Sequence, residues 1–259
     1  MTNPLSPGSL TGRRALVTGS SRGIGADTVA MFAEAGARVV INYRNKEKRA
    51  QQLVEKIEAA GGEAFAVGAD LTDADSVTAL FDAAQERLGG LDILVMNASG
   101  GMESGMAEDY AMRLNRDAQV QLLELALPHL AEGARVVFVT SHQAHFIKTV
   151  PTMPEYEPVA LSKRAGEDAL RAMIPRLEAA GVEFVVVSGD MIEGTITATL
   201  LERANPGAIS SRKEQAGRLY NVNEFAAEVA LAAVEPVPAD NTRYVGNISD
   251  FTSASATGE

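Results

Sequence analysis

Thr18-Gly19-Ser20-Ser21-Arg22-Gly23-Ile24-Gly25 decides the fold of this chain. The apolar run Ala15-Leu16-Val17 precedes it, and a helical pattern from Ala26 to Ala35 follows. A glycine-rich turn between a strand and a helix lets the backbone double back tightly. It also lets a ligand approach without a Cβ in the way. The helix beyond it offers unpaired N–H groups and a positive dipole to a pyrophosphate. A dinucleotide-binding fold places its first βα unit at such a position near the N-terminus.

Outward from that turn the hydrophobic periods alternate. Strands are expected at Arg14–Thr18, Arg38–Asn42, Ala64–Val67, Leu91–Met96, Arg135–Thr140, Glu183–Val187 and Thr242–Val245. Helices are expected at Ala26–Ala35, Glu47–Ala60, Asp73–Leu88, Asp117–Leu130 and Pro158–Ala180, the last kinked or ended near Ile174 by Pro175. Leu91–Met96 is apolar almost throughout, as in a strand covered on both faces. Strand–helix alternation over the whole length implies a single α/β domain. Its parallel, doubly wound Rossmann-type sheet carries helices on both faces. Ligands then bind beyond the carboxyl ends of the strands, where strand order reverses.

The net charge of −11 argues against nucleic acid or an anionic membrane as partner, because both reward clustered cations. The absence of cysteine excludes disulfides and thiolate chemistry and fits a reducing, cytoplasmic setting. No run approaches the ~18 apolar residues of a membrane span. Two histidines three apart, His142 and His145, make a poor metal pair, so no metal is expected. Residues 1–9 lack the basic and apolar blocks of a signal peptide. They and residues 253–259 are expected to be disordered tails flanking a domain at 10–248.

The order of these motifs resembles the short-chain dehydrogenase/reductase family over residues 10–248. The turn Thr18–Gly25 is similar to that family's phosphate loop, which implies cofactor contacts from Gly19, Ser21, Arg22, Gly23, Ile24 and Gly25. Asp70-Leu71 resembles the pair beside the adenine. Asn97-Ala98 resembles the element ending the fourth strand, with Ser99 standing before Gly100. Asn115 occupies the place of an active-site asparagine, and Ser141 that of the catalytic serine. Ser162-Lys163-Arg164 is similar to the lysine end of the catalytic motif. The resemblance also implies a homodimer or homotetramer built on the helices at 117–130 and 158–180.

Charge decides between the two nicotinamide cofactors. A carboxylate at the end of the second strand would accept the ribose hydroxyls of NAD. That strand ends Ile41-Asn42-Tyr43-Arg44 instead. Arg44 and Arg22 can face a 2′-phosphate, since guanidinium forks suit that anion. NADP(H) is therefore the expected cofactor.

One position departs from the family. The tyrosine usually found four residues before the lysine is replaced by Val159, which carries no proton. Tyr156, seven residues before Lys163, has the spacing of the family's divergent enoyl-thioester reductases. On a helix that spacing keeps both side chains within ~20° of one face, ~10 Å apart along the axis. Pro158 suits a first helical turn, so Tyr156 can equally lie just before the helix.

The expected chemistry is hydride transfer to a carbonyl of a ketone, 3-oxoacyl or polyketide-like substrate. Tyr156 is the proton donor, Lys163 its cationic neighbour and ribose contact, and Ser141 the hydrogen-bond donor to the substrate oxygen. Asn115 would hold a water or backbone group feeding protons. His142 or His145 could serve as a stand-in acid. Enoyl reduction, favoured by the tyrosine spacing, and NADP(H) binding without redox chemistry, suggested by Val159, are the alternatives. Thr195, or else Thr197, is the expected nicotinamide-amide contact. The stretch 195–211 should form a substrate lid, apolar through Ile196, Leu200 and Leu201 and broken at Pro206-Gly207. The proline-bearing segment 141–163 should wall the pocket, and Met102 and Met106 suggest an apolar one.

Overall fold

Alternate residues along the central strands leave toward opposite faces, and the two sets pack two separate cores. Ala15, Val17, Ile93, Val95, Val137, Val139, Val185 and Val187 join one core. Leu16, Leu94, Met96, Val136, Phe138, Phe184 and Val186 join the other. Both faces of these strands are therefore buried, which is why they read as unbroken apolar runs. The computed structural model describes residues 3–103 and 105–252.

The sheet has seven strands in the order β3-β2-β1-β4-β5-β6-β7. They are β1 (Arg14–Val17), β2 (Arg38–Tyr43), β3 (Glu63–Gly68), β4 (Leu91–Met96), β5 (Leu130–Ser141), β6 (Glu183–Gly189) and β7 (Thr242–Val245). Every neighbouring pair is parallel, with Val17 beside Ile41 and Val95 at the carboxyl end of β1. Strand order reverses between β1 and β4, so a crevice opens beyond their carboxyl ends.

Helices α1 (Gly23–Glu34), α2 (Glu47–Ala59) and, late in the chain, α11 (Val222–Ala232) cover the first core through Val29, Phe32, Val54 and Val229. The opposite face takes α3 (Ala74–Leu88) and the helical run α4 (Tyr110–Met112), a π-helical turn at Arg113–Asp117, and α5 (Ala118–Ala126). That face is completed by α7 (Glu157–Ala172) and α8 (Ile174–Ala179), which follow the short α6 (His142–His145). A third apolar cluster, with Tyr156, Val159, Met191, Ala198 and Leu201, lies under α9 (Ile196–Ala204) and α10 (Ala208–Ala216). The chain closes with α12 (Ser249–Thr252).

Three expectations need correction. The helix expected at Asp117–Leu130 begins earlier, and a 3-10 turn at Leu127–His129 ends it because Pro128 lacks an amide proton. Leu130 then opens β5 opposite Leu91. Residues 3–9 are not a loose tail: Leu5 is buried in the first core and Asn3 Nδ2 donates to the Met31 carbonyl at 2.8 Å. At the other end Phe251, beyond residue 248, is buried against His142 and Phe146. The expected tail at 253–259 lies outside the described residues. Pro175 acts as expected: α7 stops at Ala172, and Pro175 enters the first turn of α8.

Candidate active site

The glycine turn is held from below by side chains the strands deliver. Asn42, buried at the end of β2, accepts from the Gly19 amide at 3.1 Å. Thr18 Oγ1 accepts from the Asn97 and Ala98 amides at 3.0 and 3.1 Å, and Asn97 Nδ2 donates to the Thr18 carbonyl at 3.0 Å. Asn97 thus fixes the turn. A Cβ on Gly25 would lie 2.7 Å from Asn97 Nδ2 and 2.8 Å from Ser20 Cα, so the helix can approach the strand only through glycine. Gly23, at φ +58°, faces open space above. This is a cradle a phosphate can enter, at the N-terminus of α1.

A cleft of about 570 Å³ runs from this cradle across the carboxyl ends of the strands. Gly19, Ser21, Arg22, Gly23, Ile24, Arg44, Asp70, Leu71, Asn97, Ala98, Ser141, Tyr156, Lys163 and Thr195 all line it. Gly25 and Asn115 are not among its lining residues. Arg22, Arg44, Lys46 and Arg49 also line it, with Arg49 near enough to act on Arg22. Lys46 and Arg49 escaped the sequence reading because α2 looked like an ordinary charged surface helix. Burial, then the charge of Arg49, pulls the Arg22 guanidinium below its usual value, with Glu103 opposing. Arg44 donates to the Tyr110 hydroxyl and lies over that ring, 5.8 Å from its centre. Asp70 is tied by Thr72, whose amide and hydroxyl donate to it at 2.9 and 2.8 Å.

At the other end, Tyr156 and Ser141 meet. Tyr156 stands just before α7, where Glu157 and Pro158 form the first turn, and its own amide donates to the Met153 carbonyl at 2.9 Å. That turn carries the phenol inward, and its hydroxyl lies 3.1 Å from Ser141 Oγ at the end of β5. Ser141 Oγ also accepts from the Ala144 amide at 3.2 Å, which starts α6 and aims the hydroxyl. Val159 is 5% exposed and packs into the apolar cluster near Gly101. Lys163 is 8% exposed, and among the described residues its ammonium makes no hydrogen bond or ion pair. A cation kept beside the cleft without a carboxylate is free to bind a hydroxylated ligand.

Asn115 is buried within the π-helical turn. Its Nδ2 donates to the Gly100 carbonyl at 2.8 Å and to Ser162 Oγ at 2.9 Å, while its Oδ1 accepts from the Gly100 amide at 3.2 Å. It therefore ties the loop after β4 to α7. Gly166 presses on the same turn: a Cβ there would sit 2.0 Å from the Asn115 carbonyl oxygen.

The histidines are not stand-in acids. His142 is fully buried; its Nε2 faces the Val245 carbonyl at 3.1 Å and its Nδ1 the Ser188 hydroxyl at 2.8 Å. A carbonyl only accepts, so Nε2 carries a proton, and in the neutral ring Nδ1 accepts from the Ser188 hydroxyl. Burial pulls this imidazole down to about 4. His145 is held by Glu167 at 2.8 Å and the Tyr244 hydroxyl at 3.2 Å, away from the cleft.

The lid stretch forms two helices. Thr195 caps α9, its Oγ1 accepting from the Ala198 amide at 3.2 Å and donating to Ile192 at 2.8 Å. Ile196, Thr197 and Leu201 line the cleft, whereas Leu200 does not. Met106 is exposed, and Met102 packs against the Tyr156 cluster. Met153, on the proline-bearing segment, lines the cleft with Gln143. Among the described residues no helix is long and apolar enough to cross a membrane.

The model of the short chain dehydrogenase family matches residues 13–205. The chain is 38% identical over 172 residues to the hydroxynaphthalene reductase-like protein Arp2 of Metarhizium robertsii, covering 64% of this chain and 63% of that one. It is 34% identical to the short chain dehydrogenase claC of Passalora fulva, over 74% of this chain and 71% of the relative. The aligned part thus spans just under two thirds of the Arp2 relative. A short-chain dehydrogenase from Burkholderia cenocepacia, solved in complex with NADP, superposes with a TM-score of 0.77 at 29% identity, over 92% of this chain and 98% of that one. The angucycline C-6 ketoreductase LanV, solved with bound NADP, superposes at 0.72 with 29% identity, over 89% and 92%.

Proposed function

Since this chain belongs to the short-chain dehydrogenase family, we propose that it reduces a cyclic or aromatic ketone with NADPH, using Tyr156 as proton donor. The observation that carries this reading is the 3.1 Å contact between the Tyr156 hydroxyl and Ser141 Oγ, made although Val159 occupies the usual tyrosine place. The relatives named as hydroxynaphthalene reductase-like and as a ketoreductase, and the two NADP complexes, support the reaction class and the cofactor.

The residues present fit the cofactor. The Gly23 cradle and the start of α1 would hold the pyrophosphate, Asp70 and Leu71 the adenine end, and Arg22, Arg44, Lys46 and Arg49 the 2′-phosphate. Lys163 would hold the ribose hydroxyls and Thr195 would lie against the nicotinamide. When bound, NADPH supplies a hydride to the carbonyl carbon. Ser141 and Tyr156 together offer two hydroxyls to the one oxygen that gains charge. The Tyr156 proton moves to that oxygen, and the Lys163 ammonium favours the phenolate left behind. Asn115 is a positioning residue, locking α7 and the loop after β4 on either side of the cleft.

Leu161, half-exposed on α7, also supports a homodimer or homotetramer through that helix, which light scattering would read. The test of the activity offers NADPH with aromatic ketones and, separately, enoyl thioesters, and identifies the product by mass spectrometry. Alcohol from a ketone is the expected result. Saturated thioester with no alcohol would assign the enoyl reaction. Tight NADPH binding with neither product would assign a binding role.

A further inference from the structure

Gln143 sits on α6, two residues beyond Ser141, and lines the substrate end of the cleft. Its Nε2 donates to Asp190 Oδ1 at 2.8 Å. Asp190 is buried and is further bonded by the Met191 amide at 2.7 Å and by Arg212 from α10 at 2.7 to 2.9 Å. A carboxylate paired with a guanidinium only accepts hydrogen bonds. The Gln143 amide therefore has one allowed orientation, its NH2 toward Asp190. Its Oε1 is left with no partner among the described residues, on a side chain that borders the cleft.

A glutamine free to turn could greet either a donor or an acceptor. Here the NH2 is held on Asp190, and the Oε1 that remains accepts from a donor. From this arrangement we infer that Gln143 is a specificity residue that selects ketones carrying a hydroxyl near the reducible carbonyl, accepting that hydroxyl's proton at Oε1. The inference deepens the proposed function and rests on it for the identity of the reacting group. The chemistry at Ser141 and Tyr156 leaves the carbonyl oxygen satisfied by donors. A second point close by, with a free acceptor oxygen, then fixes which way round a flat substrate lies. A buried site built to receive a hydroxyl discriminates strongly against an analogue lacking it, because the polar group is otherwise left unpaired.

Binding is measured by calorimetry on the full chain saturated with NADP+. The probes are tetralone, its monohydroxy isomers and their methyl ethers. Expected is at least one hydroxytetralone that binds about tenfold or more tightly than both tetralone and its own ether. In Gln143→Leu that preference should fall below about twofold. Asp190 keeps Arg212 and the Met191 amide in this variant, so the lid stays anchored, which an unchanged melting temperature would show. No preference for any hydroxylated member in the wild type, or a preference that survives Gln143→Leu, would overturn the inference. NADPH oxidation is followed separately. Hydroxyl preference without oxidation would leave this inference standing and remove the reductase reading; oxidation without preference would do the reverse.

Discussion

Arg44→Ala should change the choice of cofactor more than its overall grip. Arg44 reaches the cleft from the residue after β2, where its guanidinium is anchored on the Tyr110 hydroxyl and ring. A hydrogen bond to a charged group contributes about 1.5–3 kcal/mol. Each 1.4 kcal/mol is about tenfold in affinity. Losing the fork should therefore weaken NADPH about 10- to 150-fold. NADH lacks the 2′-phosphate and should change less than about twofold. Arg22, Lys46 and Arg49 remain around the same corner, so the lower half of the range is expected at about 0.15 M salt, where the screening length is about 8 Å. Tyr110→Phe keeps the ring and removes only the anchor. It should weaken NADPH about two- to tenfold by the cost of ordering one freed side chain. Fluorescence titration of both variants with both cofactors reads these ratios. Equal weakening of NADPH and NADH, or no change in either, would refute the assignment of this corner to the 2′-phosphate.

Two further predictions concern stability. Burial holds the His142 imidazole at about 4 in the folded protein against about 6.5 unfolded, so between these values the unfolded chain binds the extra proton. The contribution, about 3 kcal/mol, is present above pH ~6.5 and is lost as pH falls toward 4, which a melting series across that window should show. A flat melting temperature there would contradict the buried neutral assignment. Gly166→Ala drives a methyl to 2.0 Å from the Asn115 carbonyl oxygen. It should cost about 3 kcal/mol or prevent folding, read by urea denaturation, and a loss under about 1 kcal/mol would contradict the close packing of α7 on the π-helical turn.

The sheet was legible because strands buried on both faces leave continuous apolar runs, and Leu91–Met96 and Thr242–Val245 coincide with β4 and β7. The phosphate cradle was legible because Gly19 and Gly23 take positive φ and Gly25 leaves no room for a Cβ. Less visible was anything decided by tertiary packing. No local pattern marks the π-helical turn around Asn115, which exists where α7 presses in at Gly166. His142 carries the same letters as a catalytic histidine; only its burial against Ser188 and Val245 makes it neutral. Tyr156 could be named by spacing, but its approach to Ser141 depends on the turn from Met153 into α7. Gln143 gave no signal at all, because its orientation is set by Asp190, far along the chain.

The most direct test of the central claim is single-turnover reduction by Tyr156→Phe beside the wild type, at saturating NADPH. The ring is retained and one hydrogen bond to Ser141 is lost, so folding and NADPH affinity should be nearly unchanged. Removing a general acid lowers the chemical step by about 10²- to 10⁴-fold, equivalent to about 3–5 kcal/mol of barrier. A fall of that size with cofactor binding intact is the predicted result. A rate within about tenfold of the wild type would contradict Tyr156 as the proton donor.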